Sequence, residues 1–223
     1  MAVVHVVFVG SDAEKVMESI KASEYPIHKA YLVYYPDVKS VAEKLRDVLK
    51  VLIDVEMVEV DQYEVFDSML KVLEAIKDDL KGGNDVYINI TEAPKTLTIS
   101  AYIAAQVSGS KLYTAMPKYE EGKEVGIERV IEIPVPPMKK ITDDKLEILR
   151  VIEANGGEVE SINKLIELLE GRTTDHKKYM AQRARMSYHL RGLEEDGLIE
   201  TKRVGKNVKI SLTVLGRAVN IVR

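Results

Sequence analysis

The feature that most constrains the fold is a regular alternation of strand-like and helix-like segments over the first 135 residues. Continuous apolar runs such as Val3–Val9 are typical of strands that are buried on both faces of a sheet. The longer segments between these runs place apolar residues at helical spacing, as do Val16, Met17 and Ile20. This alternation predicts an α/β domain with a Rossmann-like, mostly parallel six-stranded sheet and helices on both faces.

Glycine, proline and polar residues mark where the predicted elements end. The predicted strands are Val3–Val9, Ala30–Tyr35, Val55–Val60, Val86–Ile90, Lys111–Ala115 and Arg129–Ile133. The predicted helices are Ala13–Ala22, Val41–Val51, Glu64–Lys81 and Pro94–Val107. No GxGxxG motif follows the first strand and no GxxxxGK[ST] motif occurs, which argues against a dinucleotide site and a Walker-type nucleotidase.

A proline-rich segment, Pro134-Val135-Pro136-Pro137, divides the chain, because prolines at this density fit neither a helix nor a central strand. The predicted domains are 1–133 and 142–223, joined by a linker over 134–141. After the linker, three helices precede a β-hairpin with a basic tip, which is the order of a small winged helix-turn-helix domain. The helices are Asp143–Ala154, Ser161–Leu169 and His176–Asp196, the hairpin strands are Leu198–Arg203 and Val208–Leu212, and a last helix covers Val214–Ile221.

The two parts of the chain differ in the sign of their charge. Residues 1–137 contain 15 Lys+Arg and 23 Asp+Glu, whereas residues 138–223 contain 17 and 13. Such an asymmetry indicates that only the C-terminal part meets a polyanion. Its basic residues are concentrated between Arg172 and Arg191, where six Lys/Arg accompany a single acid, Asp175.

The third helix of the C-terminal domain is predicted to bind double-stranded DNA. Met186, Leu190 and Leu193 recur at helical spacing and should face the core. Gln182, Arg185 and Tyr188 should then point outward, where they can contact bases in the major groove. Predicted phosphate contacts come from this helix and from a basic wing: Lys177, Lys178, Arg183, Arg191, Lys202, Arg203 and Lys206. The alternative is a solvated basic face in a winged helix that binds protein.

A candidate small-ligand site lies where two predicted strands end. Ligands of open parallel sheets bind outside the carboxyl ends of the strands, and the loops after the first and fourth strands converge if these strands are neighbours. Free N–H groups at the start of the following helix, together with Lys95, suit an anion. The residues that line this predicted site are Gly10, Ser11, Asp12, Asn89, Thr91, Glu92, Lys95 and Thr96.

The loop Asn89-Ile90-Thr91-Glu92-Ala93-Pro94-Lys95 resembles a motif of the CRISPR-associated Rossmann-fold (CARF) domain that reads approximately Asn-x-[Thr/Ser]-Gly-Gly-Thr-Lys. The resemblance extends over most of 1–133, including the opening Val4–Gly10. The segment 184–200 is similar to winged helix DNA-binding regulators, whose recognition helix ends with Leu-x-x-Leu-x-x-x-Gly-Leu-Ile. The whole chain therefore resembles the archaeal CARF–winged-helix transcriptional regulators.

This resemblance implies a homodimer that binds a cyclic oligoadenylate, typically the tetra-adenylate, across its two-fold axis. The residues of the two loops would contact or line this ligand, and ligand binding would change DNA affinity in antiviral defence. The Gly-Gly-Thr of the motif is replaced here by Glu92-Ala93-Pro94. Two alternatives stay open: a CARF-like regulator that has lost this ligand, and a ring nuclease that cleaves cyclic oligoadenylate with assistance from Ser11 and Lys95.

Composition excludes several other classes of protein. The chain has no cysteine, which rules out disulfides, zinc thiolate sites and thiol nucleophiles. The four histidines show no HxxxH or HExxH spacing, so neither a metal nor another cofactor is expected. No apolar run approaches the roughly 20 residues that span a bilayer, and the N-terminus lacks the basic region of a signal peptide. We therefore expect a cytoplasmic protein without a membrane partner.

Overall fold

A computed structural model describes residues 2–223, which fall into two compact units. The first unit reaches to Met138 and the second begins at Lys139. None of the helices in the described residues is both long and apolar enough to cross a lipid bilayer. The first unit is built around a central sheet and the second around three helices.

The first unit alternates strands and helices and ends in two long strands. Its elements are β1 (Val3–Phe8), α1 (Ala13–Ala22), β2 (Lys29–Tyr34), α2 (Lys39–Leu49), β3 (Asp54–Glu59), α3 (Val65–Lys81), β4 (Asp85–Asn89), α4 (Lys95–Ser108), β5 (Lys111–Glu120) and β6 (Lys123–Ile133). The strand order is β3-β2-β1-β4-β5-β6, and all neighbours are parallel except β5 and β6. The predicted Rossmann-like, mostly parallel six-stranded sheet is confirmed.

The central strands of this sheet are buried on both faces. Val7 and Leu32 belong to an apolar cluster that also includes Val16 of α1 and Leu45 of α2. The next residue along β1, Phe8, points to the opposite face and is equally buried, because side chains alternate along a strand. The apolar run of β1 is therefore continuous because the strand is covered on both faces, as the sequence predicted.

The last two strands are much longer than predicted. β5 continues beyond Ala115 and β6 begins well before Arg129, so that Glu120 pairs directly with Lys123. Glu121 and Gly122 form the two-residue turn with φ values of 50° and 79°. A turn with two positive φ angles is of type I′, for which Asn-Gly is the usual sequence signal. The prediction was wrong about these strand lengths because Glu-Gly is a weak signal for this turn.

The other boundaries of the first unit differ from the predicted ones by one or two residues. The largest difference is in α2, where Pro36–Val38 forms a short 3₁₀ turn that leads directly into the helix at Lys39. The predicted end at Val51 was too late, since the helix ends at Leu49 and Val51 is exposed. Offsets of this size are common at helix ends, where several hydrogen-bond patterns compete.

A buried polar pair lies within the apolar core. His5 Nε2 donates to the carbonyl oxygen of Pro26 at 3.0 Å, so Nδ1 accepts from the Tyr113 hydroxyl at 3.1 Å. Burial lowers the pKa of His5 to about 4, against the effect of the Pro26 hydrogen bond, and the imidazole is neutral near pH 7. His5 is thus a structural residue of the sheet.

The second unit has the secondary-structure order of a winged helix domain. Its elements are α5 (Asp143–Ala154), β7 (Glu158–Val159), α6 (Ile162–Glu170), α7 (His176–Glu195), β8 (Ile199–Val204), β9 (Asn207–Leu212) and α8 (Val214–Val222). The predicted winged helix-turn-helix fold is confirmed. The short strand β7, which was not predicted, pairs antiparallel with β9 and completes a three-stranded sheet in the order β7-β9-β8.

The core of the second unit forms on one side of its longest helix. Met186, Leu190 and Leu193 of α7 are buried, as the helical spacing predicted. Ser161 and Asp175 cap the N-termini of α6 and α7, because their side chains accept backbone N–H groups that have no partner within the helix. The side of α7 that faces away from this core is exposed to solvent.

Candidate ligand-binding edge and nucleic-acid interface

The loops after β1 and β4 meet at the carboxyl edge of the sheet, because these two strands are neighbours. A Cβ atom added to Gly10 would lie 2.9 Å from Glu92 Cβ and closer still to the Glu92 carbonyl oxygen. Only glycine allows such an approach between the two backbones. Gly10 is consequently buried beneath the second loop, and its predicted contact with a ligand does not agree with this position.

Asn89 and Thr91 build the scaffold of the second loop. Asn89 is 1% exposed, and its amide donates to Ser19 Oγ at 2.8 Å. Its Oδ1 accepts from both the N–H and the hydroxyl of Thr91, and Thr91 Oγ1 in turn accepts from Ala115 N–H at 2.9 Å. Asn89 is therefore buried and bonded within the protein in this structure, and its contact with a ligand stays a prediction.

An ion cluster covers this edge of the sheet. Lys15 Nζ lies 3.1 Å from Glu92 Oε1 and 2.9 Å from Glu124 Oε1, and the lysine and Glu92 side chains are both largely buried. Burial alone would lower the pKa of Lys15, but hydrogen bonds to Glu124 and Glu92 outweigh it and raise that pKa. No sequence signal marked Lys15, which lies in the first turn of α1, or Glu124, which belongs to the unpredicted β5–β6 hairpin.

The remaining predicted ligand residues are accessible. Ser11, Asp12 and Lys95 are exposed and Thr96 is half-buried. Asp12 also serves as the N-cap of α1, where its Oδ1 accepts from Lys15 N–H at 3.0 Å. A ligand at this edge would therefore have access to Ser11, Asp12, Lys95 and Thr96.

A separate cavity of about 530 Å³ opens where β2 and β3 end. Its lining includes the carboxylates of Asp37, Glu59 and Asp61 but a single cation, Lys71. This excess of negative charge does not suit a polyanion. Among residues 2–223, no three His, Asp or Glu side chains are grouped closely enough to hold a metal ion.

The exposed side of α7 carries most of the residues predicted to contact DNA. Tyr188 is 75% exposed, and its neighbour Arg191 lies in solvent with an ion pair to Glu195 at 3.0 Å. The phosphate-contact candidates Lys177, Lys178 and Arg183 are also exposed. The side of α7 that faces away from the core therefore presents positive charge and one aromatic ring.

Two side chains predicted to contact bases donate hydrogen bonds to the carboxylate of Glu170 instead. Gln182 is only 5% exposed, and its Nε2 donates to Glu170 Oε2 at 2.8 Å. The prediction that Gln182 points outward was wrong, because it lies one helical turn before Met186 and shares its buried side. Arg185 remains exposed but pairs with Glu170 Oε1 at 2.5 Å. These hydrogen bonds outweigh the effect of burial and lower the pKa of Glu170.

The hairpin of β8 and β9 forms the basic wing. Lys202, Arg203 and Lys206 are exposed, and no acid occurs between Thr201 and Lys209. Lys209 pairs across from Lys202 in the hairpin, and its ammonium contacts Glu158 Oε2 at 2.6 Å. The tip of the wing is thus free to meet a polyanion, while its base is partly neutralised.

The fold defines a class of protein in which a Rossmann-like domain is followed by a winged helix domain. This is the domain order of the CARF–winged-helix regulators that the sequence resembles. The chain belongs to the family described as "HFX_2341_N:-like, N-terminal", whose family model matches residues 3–120. Residues 144–222 match the DUF6293 C-terminal winged helix domain. An uncharacterized protein from Archaeoglobus fulgidus is 47% identical over 216 residues, which cover 96% of this chain and 95% of the relative.

Three solved structures are similar to this chain at low identity. Can2 from Sulfobacillus thermosulfidooxidans, in complex with cyclic tetra-adenylate, is 13% identical with a TM-score of 0.42, over 94% of this chain and 72% of that chain. Protein VC1899 from Vibrio cholerae is 11% identical with a TM-score of 0.44, over 99% and 66%. A type III CRISPR defence DNA nuclease activated by cyclic oligoadenylate is 14% identical with a TM-score of 0.42, over 89% and 35%. Similarity at this level does not transfer a function.

Proposed function

We propose that this protein is a dimeric, CRISPR-associated transcriptional regulator. Its domains would be 1–133 and 142–223, with a linker over 134–141. The winged helix would bind double-stranded DNA, and the Rossmann-like domain would respond to a nucleotide second messenger of the cyclic oligoadenylate class.

The observation that carries the proposal is the charge on the exposed surface of the winged helix domain. Lysine and arginine side chains project from α7 and from the wing, and the wing tip carries no acid. A helix with a flanking hairpin suits the major groove of B-DNA, which is about 12 Å wide. Cations placed in this way contact phosphates on the two strands and supply affinity without reading sequence.

Salt dependence tests this part of the proposal. A protein that neutralises several phosphates releases counterions, so log K falls linearly with log salt with a slope near −0.9 per contact. We expect the full chain to bind a random-sequence duplex with a steep slope of this kind. A shallow slope, or no binding at low salt, would instead support the alternative of a winged helix that binds protein.

The sensor part of the proposal is supported by the exposed Ser11, Lys95 and half-buried Thr96 at the edge where β1 and β4 end. Glu92 opposes it, because a carboxylate lies beside the predicted path of a polyanion, although Lys15 partly neutralises that carboxylate. Calorimetric titration with cyclic tetra-adenylate tests the sensor, with one ligand per dimer as the expected saturation. Chromatography of the ligand after incubation tests the ring-nuclease alternative.

The proposed homodimer is supported by helix α4. Exposed apolar surface on a folded domain is a mark of a protein interface when it forms a patch. α4 buries Leu97 and Ala101, yet its Ile99 is 54% exposed, as is Phe66 on the neighbouring helix α3. The contact between Ser100 Oγ and the Val65 carbonyl oxygen holds these two helices together at 2.7 Å. A second copy of the chain would bury this apolar surface, and analytical ultracentrifugation tests the dimer.

A further inference from the structure

A second basic site lies at the other end of α7 from Lys177. It is a cavity of about 500 Å³, which we call the linker cavity, and none of the predicted base-reading residues lines it except Tyr188. Its walls come from the last turns of α7 and from the segment that leads into α5. The lining residues are Lys139, Lys140, Lys145, Tyr188, Arg191, Gly192, Glu195 and Asp196.

The linker cavity has an excess of positive charge. Four cationic side chains line it against two carboxylates, and both carboxylates are already engaged. Asp196 Oδ1 contacts Lys139 Nζ at 3.1 Å, and Asp196 Oδ2 contacts Lys145 Nζ at 2.9 Å. These two lysines hold the pKa of Asp196 below its ordinary value. Lys140 has no carboxylate within ion-pair distance in the described part of the chain.

Gly192 shows how the sequence makes room for this arrangement. Glycine is unfavourable inside a helix. A Cβ atom at Gly192 would lie 2.9 Å from Lys145 Nζ and 3.2 Å from Lys145 Cε. The absence of a side chain therefore lets the ammonium group of Lys145 cross over the backbone of α7 to reach Asp196. The bridge from Lys145 through Asp196 to Lys139 fixes the end of the linker segment against α7.

We propose that the linker cavity is a contact site for the phosphates of duplex DNA. On this assignment Lys139 and Lys140 extend the DNA interface beyond α7 and the wing. The inference rests on the proposed DNA-binding function, and it adds residues that neither the helix nor the wing supplies.

The position of the cavity favours DNA over a free anion. Tyr188 and Arg191 line the cavity and also belong to the exposed side of α7. Lys177 and Arg191 are separated by about 21 Å along a helix that rises 1.5 Å per residue, which exceeds the roughly 12 Å width of the major groove. If α7 lies across the groove, a helix of this length would bring both of its ends to the phosphate backbones.

The test compares the 223-residue chain with the double variant Lys139→Ala/Lys140→Ala. The matched control is Lys39→Ala/Lys44→Ala, which removes two exposed lysines from α2 in the other unit. Affinity for a random-sequence duplex and for a duplex selected by the protein is measured over a range of salt. Lys139 is 86% exposed, so the variant should fold, and Lys140→Ala alone keeps the Lys139–Asp196 pair intact.

We expect the double variant to reduce the magnitude of the salt slope by about 2, or about 1 per lysine. Each lost contact should weaken binding about 8-fold at 0.1 M salt, equally on both duplexes. An unchanged slope with intact wild-type binding would overturn the inference but not the proposed function. A loss confined to the selected duplex would also overturn it, since phosphate contacts carry no sequence preference. Absence of wild-type binding to any duplex would refute the proposed function itself.

Discussion

Gly10 has no Cβ atom, which allows the loops after β1 and β4 to meet. A Cβ atom at this position would contact the backbone and Cβ of Glu92, neither of which can rotate away. We expect Gly10→Ala to lower the free energy of unfolding by about 1–3 kcal/mol, the usual effect of overpacking. Urea unfolding measures this, with the exposed neighbour Ser11→Ala as control. Equal midpoints for Gly10→Ala and the wild type would contradict the described contact.

Gln182 and Tyr188 belong to the same helix and should behave in opposite ways. Gln182 is buried and donates to Glu170, so Gln182→Ala should cost about 1–3 kcal/mol of stability by removing a buried side chain and its hydrogen bond. Tyr188 is exposed, so Tyr188→Ala should change stability by less than about 0.5 kcal/mol. Only the second variant should weaken DNA binding directly.

Thermal unfolding and DNA titration of both variants, together with Arg185→Ala, distinguish these roles. Arg185→Ala should cost roughly 1–3 kcal/mol on a selected site if the side chain leaves Glu170 and reads a base. An equal loss on random DNA would identify Arg185 as a phosphate contact instead. A stable Gln182→Ala variant with altered base preference would restore the outward orientation that the sequence predicted.

The β5–β6 hairpin depends on an unusual turn. Glu121 has a φ of 50°, a conformation that costs less for asparagine than for glutamate. We therefore expect Glu121→Asn to raise the free energy of unfolding by up to about 1 kcal/mol, measured by urea unfolding. The control is Glu120→Asn, which changes a neighbouring residue with no need for positive φ. Destabilisation by Glu121→Asn would argue against the type I′ turn.

Asp79 connects α3 to β2 and gives the first unit a dependence on acid. Its carboxylate accepts from the Tyr31 hydroxyl at 2.7 Å and from Asn84 at 3.0 Å, and it lies 3.3 Å from Lys29 Nζ. Burial tends to raise the pKa of Asp79, but these contacts outweigh it and lower that pKa. Because the folded-state value lies below the unfolded value near 3.9, the ionised form stabilises the fold above about pH 4.

This contribution should disappear as the pH falls below 4 towards the folded-state pKa of Asp79. The variant Asp79→Asn has no carboxylate to protonate, so its stability should fall less between pH 5 and pH 3 than that of the wild type. Urea midpoints across this range measure the difference. Parallel curves for the two proteins would mean that Asp79 titrates alike in the folded and unfolded states.

Sequence patterns predicted elements best where one physical cause dominates. The apolar run of β1 and the spacing of Met186, Leu190 and Leu193 have a single explanation in burial, and both were confirmed. The hairpin turn requires a positive φ at Glu121, which a glutamate side chain does not indicate. The ion pairs of Lys15 and of Glu170 join residues far apart in sequence, so that no local pattern could reveal them.

The proposed dimer determines the symmetry that we expect of the operator. A symmetric dimer with two winged helices should protect a near-palindrome whose half-sites are about 34 Å apart, or a multiple of that distance. Footprinting on duplexes enriched by selection measures this spacing. Protection of one asymmetric half-site would contradict a dimer that binds DNA through both copies.

The two units also differ in the sign of their net charge. The C-terminal residues 138–223 carry a net positive charge, and residues 1–137 a net negative one. The net negative charge of residues 1–137 should oppose non-specific binding to DNA, which is itself a polyanion. The proposed function couples a ligand in the first domain to the DNA affinity of the second. Such coupling must be reciprocal in binding free energy, because DNA then changes the affinity for the ligand by the same factor.

The most direct test of a ligand-responsive regulator is the affinity of the 223-residue protein for a selected duplex, measured by fluorescence anisotropy with and without saturating cyclic tetra-adenylate. We expect salt-dependent binding that changes at least 5-fold when the ligand is present, which corresponds to a coupling of about 1 kcal/mol. Binding that is strong, salt-dependent and identical in both conditions would contradict the sensor for this ligand. Failure to bind DNA in either condition would contradict the regulator as a whole.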